Sequence, residues 1–316
     1  MPLLGNDPCR ERGWGLALPQ VSAVRGFLER FHDEELEQSR LPRAVQKSFM
    51  GPSRAPVQGL QAVQAGVVRR SAQLYAEPQT ARRIATVDQD ATIIESHKAA
   101  AQAHYEGGRG YQPRVAVWAE ADRVLADEFR DGNVPAQQEP LTCAQMAFAT
   151  LPDNIKDSQP LRYVGLRRLK PQGVLFADGT DRHHHAVITN LEWAGGRLLQ
   201  WHREKAGTVE HVHDEVKNET RGGHLPSQHF AANAAWFKLA LLTYNLASAI
   251  KGLCFSPEER TARFKKYRLL LVHLAGRMSR FRCKRRLRFC ASTEAMARVQ
   301  KVWAVFALPT QATAFT

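Results

Sequence analysis

The sequence predicts a mixed α/β fold, and three features carry that expectation. Residues 84–94 alternate side chains with the period of a strand. Residues 230–253 read as one long apolar helix. Between them, strand-like and helix-like segments alternate along the chain instead of separating into an all-helical and an all-strand half. With 316 residues the chain has enough length for a substantial core in one large domain or two ordinary ones. A hydrophobic content of 44% and a mean hydropathy of -0.39 are ordinary for a soluble globular chain. No run of roughly 18 apolar residues occurs, so no membrane span is expected. The start, Met1 to Pro8, lacks the basic-then-apolar build of a secretory signal. Cys9, Cys143, Cys254, Cys283 and Cys290 form no CxxC pair, which speaks against a disulfide scaffold or a four-cysteine zinc site and for a reducing, cytoplasmic setting.

Residues 20–75 read as helical and polar, with Phe27, Leu28 and Phe31 at helix spacing and a break at Pro52, Pro56 and Gly59. The strand at 84–94 places Ile84, Thr86, Asp88, Asp90, Thr92 and Ile94 on one face. Two carboxylates on one strand face are costly unless cations or solvent meet them. Gly107-Gly108-Arg109-Gly110-Tyr111 lacks the spacing of a phosphate loop and reads as a turn. Two strands follow, Arg114–Glu120 and Val124–Phe129, closed by Asp131-Gly132-Asn133. A helix over Pro140–Leu151 is expected, with Thr142 as its cap and Pro152 as its stop.

From Leu161 the pattern predicts strands at Arg162–Leu169, Val174–Phe176 and His185–Leu191. His183-His184-His185 does not read as a metal site, because neighbours on a strand point to opposite faces. A helix over 207–219, capped by Thr208, carries Glu210, His213, Asp214 and Lys217 along one side. The next helix, Phe230–Leu253, is expected to bury Trp236, Leu239, Thr243, Leu246 and Ile250, while Asn233, Lys238 and Asn245 exclude a membrane span.

The charge has an address. Between residues 258 and 288, twelve Lys or Arg stand against two acids, giving +10 of the chain's +13. Such density reads as a footprint for phosphates, since each neutralised phosphate releases condensed counterions. Phe264, Tyr267, Leu269, Leu270, Leu271, Phe281 and Leu287 are interleaved, which predicts that part of this tail packs as helix. A solvated charged face is the alternative.

An acid-bearing strand, two further strands, a helix, β material and a glutamate-bearing helix follow in the order in which ribonuclease H-like polynucleotidyl transferases present their acids. The segments Ala85–Ser96, Tyr105–Pro113, Phe129–Asn133 and Trp201–Glu219, together with Phe230–Phe237, resemble bacterial insertion-sequence DDE transposases, in the group-1 DDE subgroup with a β-rich insertion before the last acid. The resemblance spans roughly residues 20–290. It implies a ribonuclease H-like mixed sheet with flanking helices, a helical N-terminal region at 1–80 and a basic helical tail at 257–316. It also implies a first core part at 81–155, an insertion remnant at 156–200 and the catalytic-type and packing helices at 201–256.

By that resemblance Asp90 is the first acid, with Asp88 as its alternative, and Glu210 is the last. Both would ligand Mg²⁺ or Mn²⁺, two ions in a complete site, in strand cleavage and strand transfer. Arg203, Lys205, Lys217, Lys265, Lys266, Arg268, Lys284, Arg285 and Arg286 would contact DNA, namely terminal inverted repeats and target. A homodimer and a nucleoid-associated bacterial location follow from the same likeness. The chain departs from the family pattern where Tyr and Arg should precede the glutamate; Arg203 and Ala206 stand there. The second acid has no matching strand, and Asp153, Asp157 and Asp178 are the aspartates nearby. The fourth core strand and its helix are therefore expected to be missing, and catalysis impaired. The alternative is a DNA-binding remnant without chemistry, acting through the basic block. An RNA-associated basic protein fits less well, because no aromatic-and-glycine RNA motif is present.

Overall fold

A computed structural model describes residues 19–39, 55–74, 85–153, 155, 161–175, 179–204, 207–281 and 284–306. Helix α1 (Val21–Glu29) buries Leu28, and α2 (Glu34–Ser39) is capped by Asp33, whose Oδ1 accepts from the Leu36 amide at 2.9 Å. Glu34, Glu35 and Glu37 fill its first turn, where carboxylates suit the helix dipole. Helix α3 (Ala55–Leu74) corrects the expected break. Pro56 lies in the first turn, where its missing N–H is no loss, and Gly59 is simply part of the helix. Pro52 lies outside the described residues.

The central sheet runs β1 (Val87–Ala91), β5 (Arg114–Trp118) and β6 (Arg123–Glu128) in the order β1-β5-β6, antiparallel throughout. Its two faces have separate cores. Val115, Val117 and Val124 pack with Val209, Val212, Val216, Phe237, Leu241 and Tyr244. Ala116, Trp118, Leu125 and Ala126 face Val68, Cys143, Ala147 and Leu151. Helices therefore cover both sides, and the period-2 alternation of β5 sorts its residues between them. The expected mixed sheet is not what the described residues form: every pairing among them is antiparallel.

The strand expected at 84–94 is broken. After β1 the Thr92 amide donates to Pro113 O at 2.9 Å, and Ile94–Glu95 (β2) joins a second sheet of order β2-β4-β3, with β3 at Gln102–Ala103 and β4 at Arg109–Tyr111. The glycine segment is thus part turn and part strand. Gly107 makes the turn with φ +90°, and a Cβ on Gly110 would lie 2.1 Å from Ile94 O, so close pairing demands glycine there.

Helix α4 (Pro140–Thr150) begins one residue after Glu139, not at a Thr142 cap, with Pro140 in the N-terminal position that tolerates it. The hairpin β7 (Arg162–Leu169) and β8 (Arg182–Thr189) replaces the three predicted strands, and Val174 and Leu175 lie exposed between them. Helix α5 (Gly195–Glu204) was not expected; Trp193 packs edge-on against its Trp201 at 5.6 Å, and Arg197 lies over Trp193 at 4.4 Å.

Helix α6 (Thr208–Asp214) starts after Gly207 and continues into a π-turn at Glu215–Glu219, so 207–219 is not one regular helix. The long helix α7 (Phe230–Cys254) overturns the predicted stripe. Phe230, Phe237, Leu241 and Tyr244 are buried, while Leu246 is 45% exposed. Asn233, Lys238 and Asn245 are buried as well, because each has built-in partners. Asn245 accepts from the Val124 amide at 2.8 Å and donates to Val124 O at 2.7 Å, so it closes the outer edge of β6. Lys238 Nζ meets Asp127 Oδ1 at 2.5 Å and Gln61 Oε1 at 2.7 Å. No helix among the described residues is long and apolar enough to cross a membrane.

The basic tail is only partly helical. Short helices α8 (Pro257–Arg260) and α9 (Phe264–Tyr267) and a π-turn at Arg268–Val272 lead into a hairpin of β9 (Ala275–Phe281) and β10 (Lys284–Cys290), then α10 (Thr293–Phe306). Arg286 and Arg288 alternate with Leu287 and Phe289, a period-2 pattern that fits a strand better than a helix.

Candidate functional site

The site grows from the pairing of β1 with β5. Asp88 lies opposite Val117 and Asp90 opposite Val115, so both acids stand on the sheet face that α6 and α7 cover. Val209 and Val212 anchor α6 in that core. Glu210, between them in sequence, lies in the first turn and is exposed.

The carboxyl of Asp90 lies within the field of the Glu210 charge. Burial raises the Asp90 carboxyl above the ordinary aspartate value, and the charges of Glu210 and Asp88 raise it further; the Ala91 amide and Arg114 act the other way. Three carboxylates thus share one field. Such a cluster favours a hard cation with oxygen preference.

His213, one turn beyond Glu210, ties the helix to the strand. It is buried, hydrogen-bonds the Asp90 backbone and is held down at about 4, first by burial and then by the Lys217 charge. Lys217 reaches the end of the same strand: its Nζ donates to Thr92 Oγ1 at 3.1 Å and to Ile93 O at 3.2 Å. The π-turn sets this reach, since Lys217 lies inside it. Sequence spacing singled out Lys217 but gave His213 no special role. Its signal was a histidine three residues after the glutamate, beside the apolar Val209 and Val212.

Arg114, also missed, is almost fully buried and organises the loop before α4. It pairs with Glu128 at 3.2 Å and donates to the carbonyls of Ala136 at 2.6 Å, Gln138 at 2.7 Å and Glu139 at 3.0 Å. Arg109 plays the same part near β3, donating to the carbonyls of Lys98, Ala99 and Ala101.

No third acid joins Asp90 and Glu210 in a ligand group among the described residues. The one cluster of three His, Cys, Asp or Glu ligand atoms within 4.8 Å of one another there is His32, Glu37 and His229. Asp153 is exposed in the turn after α4; Asp157 and Asp178 lie outside the described residues. β1 occupies an edge of its sheet, with β5 as its only strand partner among the described residues.

The expected DNA contacts divide. Arg203, Lys265, Lys266 and Arg268 are exposed. Lys284, Arg285 and Arg286 sit on β10, while Lys205 lies outside the described residues. Arg263 is already engaged, by Asp214 and by Glu219 Oε1 at 2.7 Å, which ties α9 to the end of α6. The hairpin register sets Arg277 opposite Arg288 and Arg280 opposite Arg285, so cationic positions face one another across the strands.

Residues 175–309 match the family described as Transposase DDE domain group 1. The match includes Glu210, Lys217 and the whole basic block, and begins after Asp90. No curated protein and no solved structure gives a match.

Proposed function

We propose that the chain is a DDE-transposase-type protein of DNA transposition that binds DNA and is impaired in catalysis. The observation that carries this is the coupling of Asp90 on β1 to Glu210 on α6, with Glu210 inside the segment that matches the family. The order of strands and helices supports a ribonuclease H-like core.

Asp90 and Glu210 offer hard oxygen donors that fit one Mg²⁺ or Mn²⁺, with Asp88 near enough to contribute charge. A bound ion would supply activation of water against a DNA phosphodiester. The chain's own residues do the rest. His213 and Lys217 fix α6 against the strand, and the exposed Lys265, Lys266 and Arg268 offer cations to phosphates. Impairment is the reading because no third acid joins Asp90 and Glu210 in a ligand group among the described residues, and a two-ion site needs a further carboxylate near β1.

The test is purified protein with Mg²⁺ or Mn²⁺ and DNA carrying the neighbouring inverted repeats. Binding without strand cleavage is expected. Cleavage that disappears in Asp90→Ala, in Glu210→Ala and in one of Asp153→Ala, Asp157→Ala or Asp178→Ala would overturn the impairment.

A second reading, a purely DNA-binding remnant, is favoured by the concentration of charge at 258–288. It expects deletion of the basic block at 258–288 to abolish binding and Asp90→Ala to leave it unchanged, with binding falling steeply as salt rises.

A further inference from the structure

We infer that His32, Glu37 and His229 form a transition-metal site of the zinc class, separate from the acids on β1. His32 follows α1, Glu37 lies in α2, and His229 is the residue before α7, so the three join the N-terminal helices to the start of the central helix. One ligand atom from each lies within 4.8 Å of the others. Tetrahedral coordination with metal–nitrogen bonds of about 2.0 Å brings ligand atoms to roughly 3.3 Å, a contraction within reach of side-chain rotation. Two imidazoles with one carboxylate suit zinc better than Mg²⁺, which prefers oxygen alone.

Each imidazole already has a carboxylate near one ring nitrogen. His32 Nε2 lies 3.0 Å from Glu34 Oε2, and His229 Nε2 lies 3.5 Å from Glu29 Oε2. A carboxylate on one ring nitrogen fixes the tautomer in which the other nitrogen presents a lone pair. In His32 that other atom, Nδ1, is buried and without a hydrogen-bond partner. A buried acceptor with no donor is costly, and a cation removes the cost. The two rings lie with centroids 3.8 Å apart and planes at 41°, and Glu37 Oε1 is held by the Phe230 amide at 2.5 Å. Ser227 Oγ steadies Glu29 at 3.1 Å, which extends the support to the loop before α7.

Calorimetric titration of the chelator-dialysed full chain with zinc chloride tests the site. One equivalent is expected, with affinity reduced about tenfold or more in His32→Ala, His229→Ala and Glu37→Gln. Glu37→Gln keeps an acceptor for the Phe230 amide. Glu34→Gln and Glu29→Gln leave all three ligands in place and are expected to weaken binding by about tenfold, a readout that survives if a ligand variant fails to fold. Cobalt(II) should give the visible bands of a four-coordinate nitrogen and oxygen site. The double variant Asp90→Asn with Glu210→Gln should keep the zinc equivalent. Loss of zinc in that double variant, zinc binding unaffected by the His32 and His229 variants, or no binding at all would each overturn the site.

Discussion

Lys217 Nζ donates to Thr92 Oγ1 at 3.1 Å and to Ile93 O at 3.2 Å, so a lysine from the turn after α6 is fastened just beyond the acid-bearing strand. The contact holds the helix that carries Glu210 and the strand that carries Asp90 in one frame. It also occupies a cation that the family resemblance assigns to DNA.

Lys217→Met should therefore act first on structure. Loss of a charge-assisted pair costs about 1.5–3 kcal/mol, reduced here by partial solvent access. Urea unfolding should show the loss, and amide exchange should quicken at residues 92–95. Unchanged exchange there would return Lys217 to a surface role.

The low value of His213 makes acid stability a second measurement. The unfolded histidine binds a proton near its usual value of 6.5, the folded one only at about 4. Stability is therefore full above roughly pH 6.5 and declines as pH falls towards 4, by about 3 kcal/mol in all. His213→Gln should flatten that slope relative to the parent chain in urea titrations across the window.

Asp90→Asn removes a carboxylate whose charge burial and neighbouring acids disfavour. Its raised value means that ionisation weakens the fold as pH rises past the ordinary aspartate range. The variant should melt about one to three degrees higher without added metal. It should also lose any stabilisation that Mn²⁺ gives the parent, as read by thermal scans.

Asn245→Leu leaves both the amide and the carbonyl of Val124 without side-chain partners from α7. A cost of about 2–4 kcal/mol is expected in chemical denaturation, far above an ordinary polar substitution.

Much of the core was legible. The strands at 114–118 and 123–128 and the helices at 140–150 and 230–254 are period-2 and helical patterns with clear stops. Asp90 stood out with Asp88 because two carboxylates on one face of a β-rich strand need a reason, and Glu210 through the family resemblance. The rest failed for physical causes. The alternation at 84–94 continues unchanged through Thr92 and Ile93, although the chain leaves one sheet there for another. In α7 the polar Asn233, Lys238 and Asn245 lay outside the stripe expected to be buried, yet all three are buried against tertiary partners. The ligand group of His32, Glu37 and His229 joins residues nearly two hundred positions apart, a convergence that no local pattern announces.

The register of the hairpin formed by β9 and β10 has a thermodynamic reading. With Arg277 opposite Arg288 and Arg280 opposite Arg285, the paired hairpin concentrates positive charge more than the open chain does. If a polyanion binds the paired hairpin more tightly than the open chain, hairpin formation and polyanion affinity are reciprocal expressions of one coupling free energy. Protection of its amides from exchange should rise with DNA concentration, and added salt should lower both together.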